Sequence, residues 1–366
     1  MIRGIRAFDK EKQSWSLQIF ESAQSTIDEI VAWEPDGILA FCESAQHARQ
    51  FLAVCRCTIA VNSLAAVAGV PAVAVDQQAV GRMAADHLIR LGLRNFACLS
   101  SPDNPFGKLR ADGFSKFLLK RRRFRGPTFW HRSQDFKLSD HGDFCDWLRT
   151  TRKPVGVFAA DDRLGLQICE FCRRARLRVP HDIAVVGADD DASLCQAANP
   201  PLSSVTTPMT QVGFEAAKRL DAMFNCQTFS PRTQKLDPVH IAIRESCRVS
   251  AVDDAAVAGV LKLIHSTNGR PLTVKGLLKN LSISRRTLEH RFRAAIGCSP
   301  MEEIRRVRDG RVVEMLINSD EPISKIATKC GFGSAVHLSV AFKRSRGISP
   351  RQFRQRFRIR LDAPTK

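Results

Sequence analysis

The sequence predicts two folds in series, a doubly wound α/β domain over residues 1–248 and an all-α domain over residues 249–366. The first two-thirds alternates short apolar runs with amphipathic stretches, as parallel strands joined by crossover helices do. After Val249 strand patterns cease, and short helical segments broken by Gly, Pro, Asn and Ser run on to Arg358. The net charge of +19 is uneven: 23 Lys/Arg face 10 Asp/Glu from 249 onward, against 33 and 27 before it. A compact basic third points to a polyanionic partner, and nucleic acid is the usual one.

Taken in order, the candidate strands are Trp15–Phe20, Gly37–Cys42, Thr58–Val61, Ala72–Val75, Asn95–Ser100, Val155–Ala159 and Ile183–Gly187. Helical patterns fall between them at Val80–Leu91, Leu109–Lys120 and Leu164–Ala175. Asp162 follows a strand and stands where a helix cap belongs. The basic run Lys120-Arg121-Arg122-Arg123-Phe124-Arg125 ends a helix, where cations suit the dipole; this reading is favoured over nucleic-acid contact. Twelve scattered cysteines read as reduced thiols. Cys169-x-x-Cys172 has metal spacing, but it lies within a helical pattern and no second pair follows, so no metal and no cofactor are expected. No uninterrupted apolar run reaches the ~18 residues of a spanning helix, and the first residues lack a signal-peptide segment.

The all-α domain opens with a helix over Val252–His265 and then repeats itself at an offset of fifty. Ser284, Leu288, Phe292, Gly297, Ser299 and Pro300 recur as Ser334, Leu338, Phe342, Gly347, Ser349 and Pro350. Each copy reads as helix-turn-helix, at about 274–293 and 323–344. In the first, Val274–Leu281 is a short helix, Ser282–Ile283 the turn and Ser284 the cap of the second helix. Leu288, Phe292 and Ile296 recur every four residues and must face a core. That leaves Arg286, Glu289, His290 and Arg293 on the opposite face, the one a recognition helix offers to the major groove. Arg can pair bidentately with guanine, and Glu can accept from cytosine. In the second copy Ile323–Cys330 precedes a recognition helix over Ser334–Arg344, whose outward residues are Ala335, Val336, Ser339 and Val340, with His337 at one side. These can meet thymine methyls but form few base hydrogen bonds, so this half should read sequence weakly. Lys343, Arg344, Arg346 and Arg351 should hold the DNA backbone. Pro300–Asn318 forms one long connecting helix that fixes the spacing of the two halves.

On these residues the segment Leu272–Phe357 resembles the AraC/XylS family of bacterial regulators. The second half carries most of that family's signature: Ile323-x-x-Ile326-Ala327, Cys330-Gly331-Phe332, Phe342-Lys343 and Gly347-Ile348-Ser349-Pro350. Where the family often has Arg, this chain has Val340, a departure that bears on base reading by the second helix. The first ~248 residues resemble the effector-binding core of LacI/GalR-type regulators, which is akin to type I periplasmic binding proteins. The matching residues are Val75-Asp76 with Gly81, Ala84 and His87-Leu88, then Arg110-Ala111-Asp112-Gly113-Phe114 and Ala160-Asp161-Asp162. Val185-Val186-Gly187-Ala188-Asp189-Asp190 and Leu202-Ser203-Ser204-Val205 complete the set. That core normally begins with a strand, whereas this chain starts inside what looks like the helix after it, so the first strand is expected to be missing.

Ligands of open α/β sheets bind beyond the carboxyl ends of strands, which is where Asp161, Asp189 and Asp190 fall. Arg110 opens a helix that matches a sugar-contacting one in the resembled family. Arg110, Asp161 and Asp189 are therefore the candidate ligand residues, suited to the hydroxyls of a small neutral sugar. Together the two resemblances imply a cytoplasmic, non-enzymatic transcription regulator. It would act as an activator of carbohydrate-use genes, with xylose or another pentose as effector. They also imply a homodimer on double-stranded DNA, RNA polymerase as a partner and no membrane. Two alternatives differ in class. One is a sugar-binding protein whose basic C-terminus only mediates assembly, which salt-dependent DNA binding would exclude. The other is a cysteine alkyl-acceptor repair protein fused to a regulator; it needs a reactive cysteine in a Pro-Cys-His context, and none of the twelve has one.

Overall fold

The computed structural model describes all residues except 10–13, 21–26, 43, 64–68, 102–103, 105, 122–126, 131–141, 227–231, 249–251, 253, 267–271, 279–280, 282 and 358–366. Two compact units are resolved, and the chain passes between them at 76–77, 207–208 and 237–238.

The first unit spans Met1–Asp76 and Pro208–Asp237. Its elements are α1 (Ile2–Asp9), α2 (Ile27–Ala32), β1 (Ile38–Ala40), α3 (Ala45–Val54), β2 (Thr58–Val61), β3 (Ala72–Val75), α9 (Met209–Phe224) and β9 (Gln234–Leu236). The strands lie in the order β1-β2-β3-β9, all parallel. Every residue of β2 and β3 is buried, as continuous apolar strands covered on both faces require. Helix α1 lies against α9 at a pair of glycines. A Cβ at Gly4 would stand 1.8 Å from the Thr210 carbonyl oxygen, and one at Gly213 would stand 2.1 Å from that of Met1.

Trp15–Phe20 is not a strand. Among the described residues β1 pairs only with β2, so the segment has no neighbour to ladder with, and an unpartnered strand leaves backbone groups unsatisfied. The amides of Ser14 and Trp15 donate instead to Asp9, and the Trp15 ring packs on Phe8 and Phe224 at 5.6 and 6.0 Å.

The second unit spans Gln77–Thr207 and Pro238–Arg358. It contains α4 (Gln77–Arg90), β4 (Asn95–Ser100), α5 (Gly107–Lys120), β5 (Thr128–Trp130), α6 (Gly142–Thr150), β6 (Val155–Ala159), α7 (Asp162–Arg174), β7 (Ile183–Asp189), α8 (Ala192–Ala197), β8 (Ser203–Thr206) and β10 (His240–Ala242). The sheet order is β10-β8-β7-β6-β4-β5, parallel except for β10, which runs antiparallel along β8. All of β6 is buried; Leu164, Ile168 and Cys172 of α7 pack on it with Leu202.

The helices that follow are α10 (Ala255–Ser266), α11 (Val274–Leu278), α12 (Arg285–Ile296), α13 (Pro300–Asn318), α14 (Ile323–Lys329), α15 (Ala335–Arg346) and α16 (Pro350–Phe357). They build two small cores. One gathers Val257, Leu261, Leu277, Leu288, Phe292 and Ile296; the other gathers Ile326, Leu338, Phe342 and Phe353. Helix α13 serves both, giving Ile304 to the first and Val312, Val313 and Leu316 to the second. Its start is fixed by a capping box in which Ser299 and Glu302 satisfy each other's backbone amides, with Pro300 at the first helical position.

Helix α7 begins differently from its expected pattern. Asp161 is the cap, accepting from the Leu164 amide at 2.9 Å, while Asp162 is the first helical residue and turns inward to full burial. Helices α4, α5 and α7 each start two or three residues ahead of the expected bounds, because polar or glycine residues open the helix before the apolar period begins. The expected helix Val274–Leu281 is described only as far as Leu278; Ser282 and Arg122–Arg125 lie outside the described residues.

Candidate functional site

The two copies of the repeat fold alike at their ends. Ser284 accepts from the Thr287 amide and Ser334 from the His337 amide, both at 3.1 Å, and α12 and α15 close on Gly297 and Gly347 at φ of +80° and +76°. Leu288, Phe292 and Ile296 of α12 are buried, as are Leu338 and Phe342 of α15. Burying these stripes turns the other residues outward.

On α12, Arg286, His290 and Arg293 are exposed. Glu289 is half-buried, and Arg285 holds one of its oxygens at 2.9 Å. On α15, Val336 and Val340 stand 72% and 62% exposed, unusually bare for aliphatic side chains, beside exposed His337. Ala335 and Ser339 are half-buried, and the Ser339 hydroxyl donates back to the Ala335 carbonyl, so its proton is committed within its own helix. Lys343, Arg344 and Arg351 are exposed. Arg346 departs from its expected role on the DNA backbone. Its guanidinium is committed to Asp309 at 2.9 and 2.5 Å and to the Val239 carbonyl at 2.7 Å, which makes it an internal brace.

The strand ends of the second unit's sheet carry a separate polar cluster. Arg110 of α5 is buried yet charged, so each donor needs an acceptor. Nε donates to Gln77 at 2.7 Å, Nη1 to the Ala160 carbonyl at 2.7 Å, and Nη1 and Nη2 fork onto Asp189 at 2.9 and 2.7 Å. Asp189 ends β7 with its side chain 44% exposed, and its backbone sits at φ +102°, followed by Asp190 at +59°. Non-glycine residues in that region carry roughly 1–3 kcal/mol of strain and gather at functional sites. Asp190 is held by Arg244 at 2.7 Å and Thr206 at 2.8 Å. The Ser100 hydroxyl, buried at the end of β4, has no partner among the described residues.

Asp161 is less available than Asp189: one oxygen caps α7 and the other accepts from Asn104 at 3.0 Å. Burial pushes the neighbouring Asp162 carboxyl up to about 7, against hydrogen bonds from the Ser204 hydroxyl at 2.5 Å and the Asp191 amide at 2.7 Å. Sequence reasoning brought Arg110 and Asp189 together but missed Gln77, Asn104 and Arg244. Gln77 had a local signal, two residues beyond the strand ending at Val75; Arg244, 54 residues from Asp190, had none.

Cys169 and Cys172 are buried, and burial pushes the Cys169 thiol up to about 12 and Cys172 higher still. Among the described residues no three His, Cys, Asp or Glu side chains are placed to hold a metal, and no helix is long and apolar enough to cross a membrane.

Residues 85–247 match a periplasmic binding protein-like domain and residues 277–356 a helix-turn-helix domain. The chain is 24% identical over 370 residues to the xylose operon regulatory protein of Escherichia coli (strain K12), covering 97% of this chain and 93% of that one. Its C-terminal part is 35% identical over 107 residues to a Streptomyces antibioticus protein described as an AraC-like transcription regulator, covering 29% of this chain and 35% of that one. A solved structure of a xylose-binding transcription activator, xylR, shares the fold at a TM-score of 0.59 and 23% identity, over 98% of this chain and 94% of that one. The chain thus carries a periplasmic binding protein-like domain followed by a helix-turn-helix domain, and over nearly its whole length it is similar to the xylose operon regulatory protein.

Proposed function

We propose that this regulator reads double-stranded DNA through α12 and α15, divides near residue 249 into sensing and DNA-binding domains, and responds to a small neutral sugar, D-xylose first. The observation that carries the DNA reading is the matched pair of capped helices, each burying one stripe and exposing the other in a strongly basic segment. Arg286, His290 and Arg293 make the sequence-reading contacts, with Glu289 joining them when Arg285 releases it. Val336 and Val340, flanked by Ala335, His337 and Ser339, offer methyl contacts to thymine. Lys343, Arg344 and Arg351 hold phosphates. Helix α13, 19 residues and about 28 Å long, links the two reading heads across successive major grooves roughly 34 Å apart.

The sugar rests on Asp189, among the described residues the one strand-end carboxylate that is both part-exposed and oriented by a buried cation, and on the names of the xylose-linked relatives. Arg110 orients Asp189, and Asp161 is a lesser contact because its oxygens are already engaged. Acting as an activator, assembling as a homodimer, engaging RNA polymerase and residing in the cytoplasm complete the proposal. Footprinting of DNA selected from a random pool, with and without D-xylose, tests it. The expected pattern is protection on one DNA face, changed in strength by the sugar; an absence of protection defeats the DNA reading, and indifference to pentoses defeats the effector.

A further inference from the structure

Glu303, in the first turn of α13, is completely buried. A carboxylate in that position persists only if its oxygens are filled. Arg306 forks onto it at 2.9 and 2.5 Å and His265 reaches it at 3.1 Å, both from the helical region. The third partner, Arg90 at 3.3 Å, ends α4 in the α/β region. Arg90 also binds Asp86 at 2.6 Å and the Cys298 sulfur at 3.0 Å. Burial works against the charge on Glu303, but the hydrogen bonds from Arg306 and His265 outweigh it and hold the carboxyl well below the usual range. His87 is buried one turn before Arg90, and neither ring nitrogen finds a partner among the described residues. Glu303 itself is shut off from solvent, which strengthens the Arg90–Glu303 attraction.

The other end of α4 meets the strand-end cluster. Gln77, its first residue, accepts from Arg110, which forks onto Asp189. Helices α4 and α5 cannot slide past each other, because a Cβ at Gly81 would stand 2.0 Å from the Arg110 carbonyl oxygen and one at Gly113 would stand 2.1 Å from that of Gln78. Helix α4, 14 residues and about 21 Å long, is therefore a rod with one end on Arg110 and the other on Glu303.

We propose that Arg90 is a positioning residue: through Glu303 it sets the placement of α13, the helix that carries both reading heads, according to the state of the Arg110–Asp189 pair at the far end of α4. Two sites are coupled when an element between them makes different contacts in two states, and α4 touches both. The proposal rests on the DNA and effector readings above.

Arg90→Ala removes the α4 arm while Glu303, the buried charge, keeps Arg306 and His265; part-exposed Asp86 and the Cys298 sulfur lose Arg90. The test uses the full chain and a duplex recovered by selection. In the wild type, duplex should slow amide exchange over the last turn of α4; in Arg90→Ala that protection should vanish while α12 and α15 stay protected, and Arg90→Lys should restore part of it. In parallel, D-xylose should change duplex affinity by about 5–150-fold in the wild type and less than about twofold in Arg90→Ala, with D-xylose affinity itself held within about twofold. Equal α4 protection in the wild type and Arg90→Ala, or none in the wild type, overturns the proposal. A wild type that binds duplex but ignores D-xylose refutes the effector instead, and the exchange measurement still decides the role of Arg90.

Discussion

Asp189 holds an unfavourable backbone conformation, of the kind that gathers at functional sites, while a buried arginine grips both of its oxygens. Asp189→Ala should weaken D-xylose binding about ten- to a hundredfold, as loss of a charged acceptor worth roughly 1.5–3 kcal/mol does. Calorimetry against pentoses, hexoses and sugar phosphates measures this; unchanged affinity, or preference for a phosphate ester, removes the assignment. Asp162 supplies a different residue-scale outcome. Its folded carboxyl titrates near 7, above the ordinary value of 3.8, so the folded state binds more protons than the unfolded one between those limits. The stability contributed by that extra proton is complete below about 4 and declines as pH rises toward 7. Asp162→Asn can accept from the Asp191 amide and donate to Ser204, so its melting temperature should vary less across that window than the wild type's. An unchanged pH profile would show that Asp162 does not titrate there.

At the scale of elements, α12 and α15 share caps and buried stripes but differ in what they show to solvent. Arg286→Ala should cost roughly 1–3 kcal/mol in binding a selected site and relax preference at the contacted base, whereas Val336→Ala should change far less. Site selection with each variant checks this; a better-defined half-site under α15 would reverse the assignment. The elements also show what was legible in advance. Strands β2, β3, β4 and β6 match their expected bounds residue for residue, because continuous apolar runs admit few other placements. Trp15–Phe20 misled because apolar patterning reports burial and not whether a neighbouring strand exists to pair with. Swapping the cap between Asp161 and Asp162 was a one-residue error, yet it changed a surface carboxylate into a buried one. Arg346 could not be read at all: its partners Asp309 and Val239 lie 37 and 107 residues away, and only the folded chain brings them together.

Across the whole molecule, the excess of cations in the last third and the paired reading heads make one claim, that duplex DNA is the partner. Each phosphate neutralised by a cation adds about −0.9 to the slope of log affinity against log salt. The exposed Lys343, Arg344 and Arg351 alone would set a slope of about −3, and further cations on α12 would steepen it. A titration of the full chain with duplex DNA across salt concentrations is the most direct measurement. A straight line with slope of about −3 or steeper is the predicted result; tight binding with a slope near zero, or no binding at low salt, would contradict the account.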